Sequence, residues 1–154
     1  MTPLDEAELD ERSAAFARAL FSAQPAWRQY ARADSRDGEK YLVVEVPPPI
    51  ESRVNYPLMV DTSNGEVTIG FDHYHDHFAW PCFDDQFGNP IQFANDIVRE
   101  RVTVVSFWAG EKWLGSRTML SSEKVNDLQG IPGEARKIKL RSWTGRYSAD
   151  LEIP

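Results

Sequence analysis

The segment that decides the fold runs from Pro57 to Phe71 and has the sequence PLMVDTSNGEVTIGF. At its centre, Asn64-Gly65 stands between two apolar runs. Asn-Gly in that setting is the strongest short-range signal of a β-hairpin, because both residues tolerate the positive φ that a tight turn requires. We therefore predict a central hairpin that turns at Asn64-Gly65.

Helices are predicted on both sides of this hairpin, and strands follow the second helix. The pattern Thr2-Pro3-Leu4-Asp5 is typical of a helix start, for a helix that runs to about Gln24. Asn89-Pro90-Ile91-Gln92 repeats that pattern for a helix that ends near Arg101. Tightly joined strands pair antiparallel, since parallel strands need a long crossover. The order predicts an α+β fold, with an antiparallel β-sheet and helices packed mainly on one face. The other strand-like runs are residues 41–46, 102–108, 112–120, 136–142 and 146–153.

Length and composition fit one domain. The chain has 154 residues, of which 42% are hydrophobic, so we predict a single domain spanning residues 1–154. Its first residues contain no basic segment followed by an apolar run, and no long uninterrupted apolar stretch occurs, so we expect neither a signal peptide nor a membrane span. The single cysteine, Cys82, cannot form an internal disulfide, which fits a reducing compartment and predicts a cytoplasmic protein.

Negative charge is concentrated in the middle of the chain. The formal net charge is −7, and no lysine or arginine occurs between Arg53 and Arg99. That interval holds all three histidines and seven acidic residues, which equal the whole net charge because the other 17 acids are matched by 17 bases. This balance disfavours binding to nucleic acid or anionic lipid, which requires cationic residues. We accordingly expect Lys137, Lys139 and Arg141, which alternate along a predicted strand, to form a solvated face.

The histidines have two possible interpretations. If residues 66–78 stay extended, side-chain alternation puts His73, His75 and His77 on one face, continuing the buried face of the strand. Histidines two residues apart on a strand can share one metal ion, so a divalent metal such as Zn²⁺ is one possibility. The series is one residue short of the metallo-β-lactamase pattern His-x-His-x-Asp-His, so that comparison fails. The other interpretation is a structural patch of Asp–His pairs without a cofactor.

Aromatic and acidic residues accompany the histidines. The segment Phe78–Phe87 contains four large aromatic residues and two acids, and Pro81 prevents a regular strand through it. Aromatic side chains surrounded by carboxylates are typical of a hot spot for a basic protein partner. We predict that the partner-binding residues are Asp72, Tyr74, Asp76, Trp80, Asp84 and Asp85.

The stretch from Gly65 to Phe78, GEVTIGFDHYHDHF, resembles small bacterial immunity proteins of polymorphic toxin systems. The resemblance covers about a tenth of the chain. It implies a cytoplasmic, non-enzymatic acidic protein that binds and blocks a cognate toxin. The local acidity fits that role, because many toxin nucleases are basic and complementary charge speeds their capture.

The sequence contains no complete catalytic motif. Gly-x-Ser-x-Gly, a phosphate-binding glycine loop and Gly-x-Gly-x-x-Gly do not occur. Cys82 could act as a nucleophile with a histidine base, although a lone cysteine between proline and phenylalanine is more typical of a buried position. We therefore expect a binding protein of the immunity type that needs no cofactor. The alternative is a small metal-dependent hydrolase in which His73, His75 and His77 hold a divalent metal ion.

Overall fold

Within residues 3–52, 54–81 and 88–154, which the computed structural model describes, the chain forms two α-helices and nine β-strands. In chain order they are α1 (Glu11–Ala23), β1 (Ala31–Arg36), β2 (Glu39–Val46), β3 (Leu58–Asp61), β4 (Val67–Phe71), β5 (Tyr74–Phe78), α2 (Pro90–Val98), β6 (Val102–Ala109), β7 (Lys112–Leu120), β8 (Lys137–Arg141) and β9 (Ala149–Glu152). The predicted α+β class with antiparallel pairing is confirmed. These strands form two sheets.

The predicted central hairpin is formed by β3 and β4, which pair antiparallel with Val60 opposite Ile69. Its connection contains a 3-10 turn at Ser63–Gly65. There Asn64 and Gly65 take φ values of 58° and 74°. Asparagine and glycine accept these left-handed conformations more readily than other residues, which explains why the Asn-Gly signal located the hairpin correctly.

The first of two compact units contains residues 1–47, 57–70 and 75–94. Its five-stranded sheet has the order β1-β2-β3-β4-β5, so that β5 is an edge strand. Helix α1 packs against β2. The most deeply buried side chains of this unit include Phe16, Leu20, Leu42, Val44, Leu58, Val60, Val67 and Ile69.

The second unit contains residues 48–56, 71–74 and 95–154. Its four-stranded sheet has the order β7-β6-β8-β9. One face of this sheet buries a hydrophobic cluster of Val105, Phe107, Met119, Ala135 and Ile138. The single domain stays a prediction, since a division into compact units does not test it. Among the described residues, no helix is long and apolar enough to cross a membrane.

The first helix begins later than predicted. Residues Glu6–Glu8 form a separate 3-10 turn, and α1 starts at Glu11. The side chain of Asp10 caps α1, since its Oδ1 accepts the N–H of Ser13 at 2.8 Å. Two aspartates compete for the role of N-cap in this region, and Asp10 is the one that precedes the long apolar face. The second helix begins as predicted, with Asn89 Oδ1 accepting the N–H of Ile91 at 2.8 Å.

Strand β1 was not predicted, because residues 34–39 have the composition of a polar turn. Its sequence, ARADSR, has low β propensity, but it pairs in register with β2 from Ala31 opposite Val44 to Arg36 opposite Glu39. Asp37 and Gly38 form the turn, with φ values of 53° and 84°. Asp-Gly is itself a hairpin signal, so this turn could have been recognised from the sequence.

Candidate functional site

The histidines lie on a hairpin and not on one long strand. Strand β4 ends at Phe71, the chain turns at Asp72-His73, and β5 begins at Tyr74. Asp72 has a φ of 53°, a left-handed conformation that aspartate tolerates. A two-residue turn places Phe71 opposite Tyr74. Each side chain after the turn therefore lies on the opposite face from the one it would occupy on a continuous strand. The prediction that the histidines continue the buried face is therefore wrong.

Strand β5 shows the inverted alternation directly. Phe78 is buried, Tyr74 and Asp76 are half-buried, and His75 and His77 are exposed. The imidazole rings of the two exposed histidines meet edge to face, with ring centroids 5.1 Å apart and an interplanar angle of 84°.

The His77 side chain is bound by Thr68 of the neighbouring strand β4 and by Glu66, which immediately precedes that strand. Its Nδ1 lies 2.8 Å from a carboxylate oxygen of Glu66 and 3.0 Å from the hydroxyl oxygen of Thr68. Its backbone N–H donates to the Asp76 carboxylate at 2.8 Å. The orientation of the His77 ring is thus set by hydrogen bonds and does not depend on packing alone.

His73 has different partners, all of which belong to the second unit. Its ring packs edge to face against Tyr56 and Trp108, with centroid distances of 5.5 Å and 4.9 Å. The Nζ of Lys139 lies 4.3 Å from the centroid of Trp108 on the same sheet. Within the part of the chain that the structure describes, no group of three or more histidine, cysteine, aspartate and glutamate side chains is arranged to hold a metal ion.

The predicted partner-binding residues are spread along the hairpin and beyond it. Asp72 lies in the turn, and Tyr74 and Asp76 lie on β5. Trp80 follows β5 and packs edge-on against Phe16 of α1, with ring centroids 5.1 Å apart. Asp84 and Asp85, like Cys82, lie outside the described residues.

Two of the three basic residues predicted to form a solvated strand face, Lys137 and Arg141, pair with acids of β9. Arg141 binds Asp150 at 2.6 Å, and Lys137 lies 3.4 Å from Glu152. The hydrogen bond from Arg141 is the main cause that holds the pKa of Asp150 below its usual value. Basic residues of β8 and acidic residues of β9 therefore form ion pairs across the four-stranded sheet.

The first unit also contains a cavity of about 780 Å³ that no sequence pattern indicates. It lies between the start of α1, the β1–β2 turn and the β3–β4 connection, and Trp80 closes one side. Tyr41 contributes a second aromatic ring. The carboxylates along its wall come from Asp10, Glu11, Asp37 and Glu39.

The two arginines of the cavity are held by the β3–β4 connection. Arg12 donates to the carbonyl oxygen of Gly65, and Arg36 donates to Asn64 Oδ1 at 3.2 Å. Asp10 is occupied by Ser13, whose hydroxyl donates to it at 2.7 Å. The remaining carboxylates of the wall, Glu11, Asp37 and Glu39, are exposed. The lining therefore carries four carboxylates and two arginines, a formal charge of −2, and the cavity is acidic on balance.

Charge is divided unequally between the units. Among the described residues, the first unit contains 12 acids and 6 bases, a formal charge of −6. The second contains 10 acids and 10 bases, a formal charge of zero. The negative charge of the described chain thus belongs to the unit that contains the cavity.

Comparisons of the chain with protein-family models, with curated protein sequences and with solved structures give no match.

Proposed function

We propose that this protein binds a basic protein partner through the first unit and acts as an immunity-type inhibitor of a cognate toxin. The observation that best supports the proposal is the acidic cavity in the unit of net charge −6. A negative surface accelerates the encounter with a basic protein, and a concave site lets one of its side chains be buried on contact.

The cavity is suited to a lysine or arginine side chain of the partner. Glu11, Asp37 and Glu39 supply carboxylates for its charged end. Tyr41 and Trp80 supply aromatic surface for its aliphatic stem, and a cation over an aromatic face gains further attraction. A buried cation with charged and aromatic partners is typical of an interface hot spot.

The inhibitor role rests on the resemblance of residues 65–78 to immunity proteins of polymorphic toxin systems. The alternative, a small metal-dependent hydrolase, needs a catalytic metal with three protein ligands in the usual case. His73 packs against Tyr56 and Trp108, while the rings of His75 and His77 pack against each other. This arrangement gives the inhibitor the stronger support.

The decisive experiment measures association with the product of the neighbouring gene, for which we expect a basic toxin. Reversing two charges at the cavity mouth, Asp37→Lys with Glu39→Lys, should lower the association rate constant on the order of 10-fold at low salt. The same variant should weaken the dependence of that rate on ionic strength, because fewer charges then attract the partner.

The matched control is Glu111→Lys with Glu123→Lys, which changes the net charge equally but alters exposed residues of the second unit. An equal loss in both variants would mean that only net charge matters and would contradict a binding face at the cavity. Asp84→Lys and Asp85→Lys test the acids predicted from the sequence in the same assay. If no partner binds and the metal-loaded protein hydrolyses esters or phosphates, the hydrolase is correct.

A further inference from the structure

His75 and His77 form a pair of imidazoles on the exposed side of an edge strand. Residues two apart on a strand point to the same face, with Cα atoms about 6.6 Å apart. The ring centroids lie 5.1 Å apart and both side chains are exposed, so the His75 ring can rotate about its side-chain torsions while hydrogen bonds hold the His77 ring. A small rotation brings one nitrogen of each ring within reach of a common metal ion, whose bonds to histidine nitrogen are about 2.0 Å long.

Glu66 gives His77 the protonation pattern of a metal ligand. A carboxylate can only accept a hydrogen bond, so its 2.8 Å contact assigns the ring proton to Nδ1 of His77. The lone pair of the neutral ring then lies on Nε2. Histidine ligands in metal sites almost always donate their other ring N–H in this way, to a carboxylate, a backbone carbonyl or water. Thr68, with its hydroxyl 3.0 Å from the same nitrogen, adds a second contact that holds the ring.

We propose that His75 and His77 are the two protein ligands of a surface site for a divalent transition metal, with Glu66 as the positioning residue. Imidazole nitrogen favours Zn²⁺, Ni²⁺ and Cu²⁺ over Mg²⁺ and Ca²⁺, which prefer oxygen ligands. Two protein ligands leave the other coordination positions to water. The proposal goes beyond the inhibitor function and does not depend on it.

The alternative explanation is structural: an exposed Glu66–His77 ion pair that stabilises the β4–β5 hairpin. That explanation also accounts for the 2.8 Å contact, but it makes no use of His75, whose ring approaches His77 from the same face. The two explanations therefore differ in the role of His75.

The test is calorimetric titration of tag-free protein with ZnCl₂, NiCl₂ and CuCl₂, and with MgCl₂ as the oxygen-preferring reference. We expect one Zn²⁺, Ni²⁺ or Cu²⁺ per chain and no heat of binding for Mg²⁺. His75→Ala and His77→Ala should each weaken the affinity at least about 10-fold. Glu66→Gln should weaken it by about 10-fold at the same stoichiometry, as the loss of an outer carboxylate typically does.

The matched control is His73→Ala, which removes a histidine whose ring packs against Tyr56 and Trp108. It should keep the affinity of the wild-type protein. The proposal is overturned if the wild-type protein binds no metal at one ion per chain, or if His73→Ala weakens binding as much as His75→Ala does. Imidazole ¹⁵N spectra give a second readout, in which Zn²⁺ should shift Nε2 of His77 and a nitrogen of His75 and leave His73 unchanged. Shifts at His73 instead would also contradict it.

Discussion

At the scale of single residues, Arg117 is a charged side chain whose hydrogen-bonding capacity is only partly used. Its Nε and Nη2 atoms are buried and have no hydrogen-bond partner among the residues that the structure describes. The guanidinium lies 5.5 Å from the centroid of Phe107, and Gly130 of the β7–β8 loop lies close to it. Buried donors without partners lower stability by about 1–3 kcal/mol each, and the cation–π contact offsets only part of that loss.

We therefore expect Arg117→Met to leave the free energy of unfolding unchanged or to raise it by about 1 kcal/mol, since methionine retains an aromatic contact without an unpaired charge. Urea unfolding measures the change. The control is Arg136→Met, which removes hydrogen bonds to the carbonyl oxygens of Gly133 and Ala135 and should lower stability. A clear loss of stability in Arg117→Met would show that the guanidinium has an ionic partner in solution.

Glu100 is a carboxylate whose ionised form is stabilised by the fold. Burial raises its pKa, but hydrogen bonds from Thr144, Ser142 and the backbone of Arg146 together outweigh that effect, and the net pKa is lowered from its ordinary value of 4.5. Both Thr144 donors lie 2.6 Å from the same carboxylate oxygen. Because the folded pKa lies below the unfolded one, the stabilisation is complete above the unfolded pKa and is lost as the pH falls through the folded pKa.

Glu100→Gln should accordingly lower the free energy of unfolding by about 1 kcal/mol at pH 7, where the carboxylate is ionised in both states. The difference from the wild-type protein should shrink as the pH falls below 4.5, the ordinary pKa of a glutamate carboxyl group. Urea unfolding at a series of pH values measures it, with the exposed Glu123→Gln as the reference. A difference that does not change with pH would show that the ionised carboxylate is not the stabilising form.

At the scale of elements, the start of α1 is joined to β2 and to the end of β3 by a buried chain of hydrogen bonds. Ser13 donates to Asp10, the helix cap, and its Oγ lies 2.6 Å from the Thr62 hydroxyl. Thr62 Oγ1 in turn accepts the N–H of Leu42 at 2.9 Å. Thr62 is only 3% exposed, so water cannot replace these bonds if they are lost.

Thr62→Val should lower the free energy of unfolding by about 1–3 kcal/mol, because valine has the same shape but leaves the Leu42 N–H and the Ser13 hydroxyl short of a partner. The control Thr118→Val alters a half-buried threonine of β7 and should change stability by less than about 0.5 kcal/mol. Chemical denaturation of the three proteins measures both changes. Equal effects would show that the hydrogen-bonded chain contributes nothing specific.

At the scale of the whole molecule, the units differ in charge, and the sequence showed that difference only in part. The interval 54–98 contains the seven acids that equal the net charge. The fold adds Glu11, Asp37 and Glu39 from outside that interval and brings them to one cavity wall. In contrast, Asp72 and Asp96 of the interval belong to the second unit, which is neutral among its described residues. The acidic lining of the cavity therefore depends on residues that are neighbours in space and not in the sequence.

The sequence by itself determined the features whose causes lie within a few residues. The hairpin at Asn64-Gly65 follows from residues that accept positive φ, and the start of α2 follows from the side chain of Asn89 as its cap. The Asp37-Gly38 turn is also marked in the sequence, but only the tertiary structure decided how far β1 extends, because its residues have little strand preference of their own and depend on pairing with β2. The tertiary structure also decided that His75 and His77 are exposed. A two-residue turn without glycine precedes them, and it moves every later side chain of the strand to the other face of the sheet. The cavity too was decided only by the tertiary structure. Its wall is formed by residues 10–15, 36–41, 62–65 and 80–81, and no local sequence pattern relates segments that far apart in the chain.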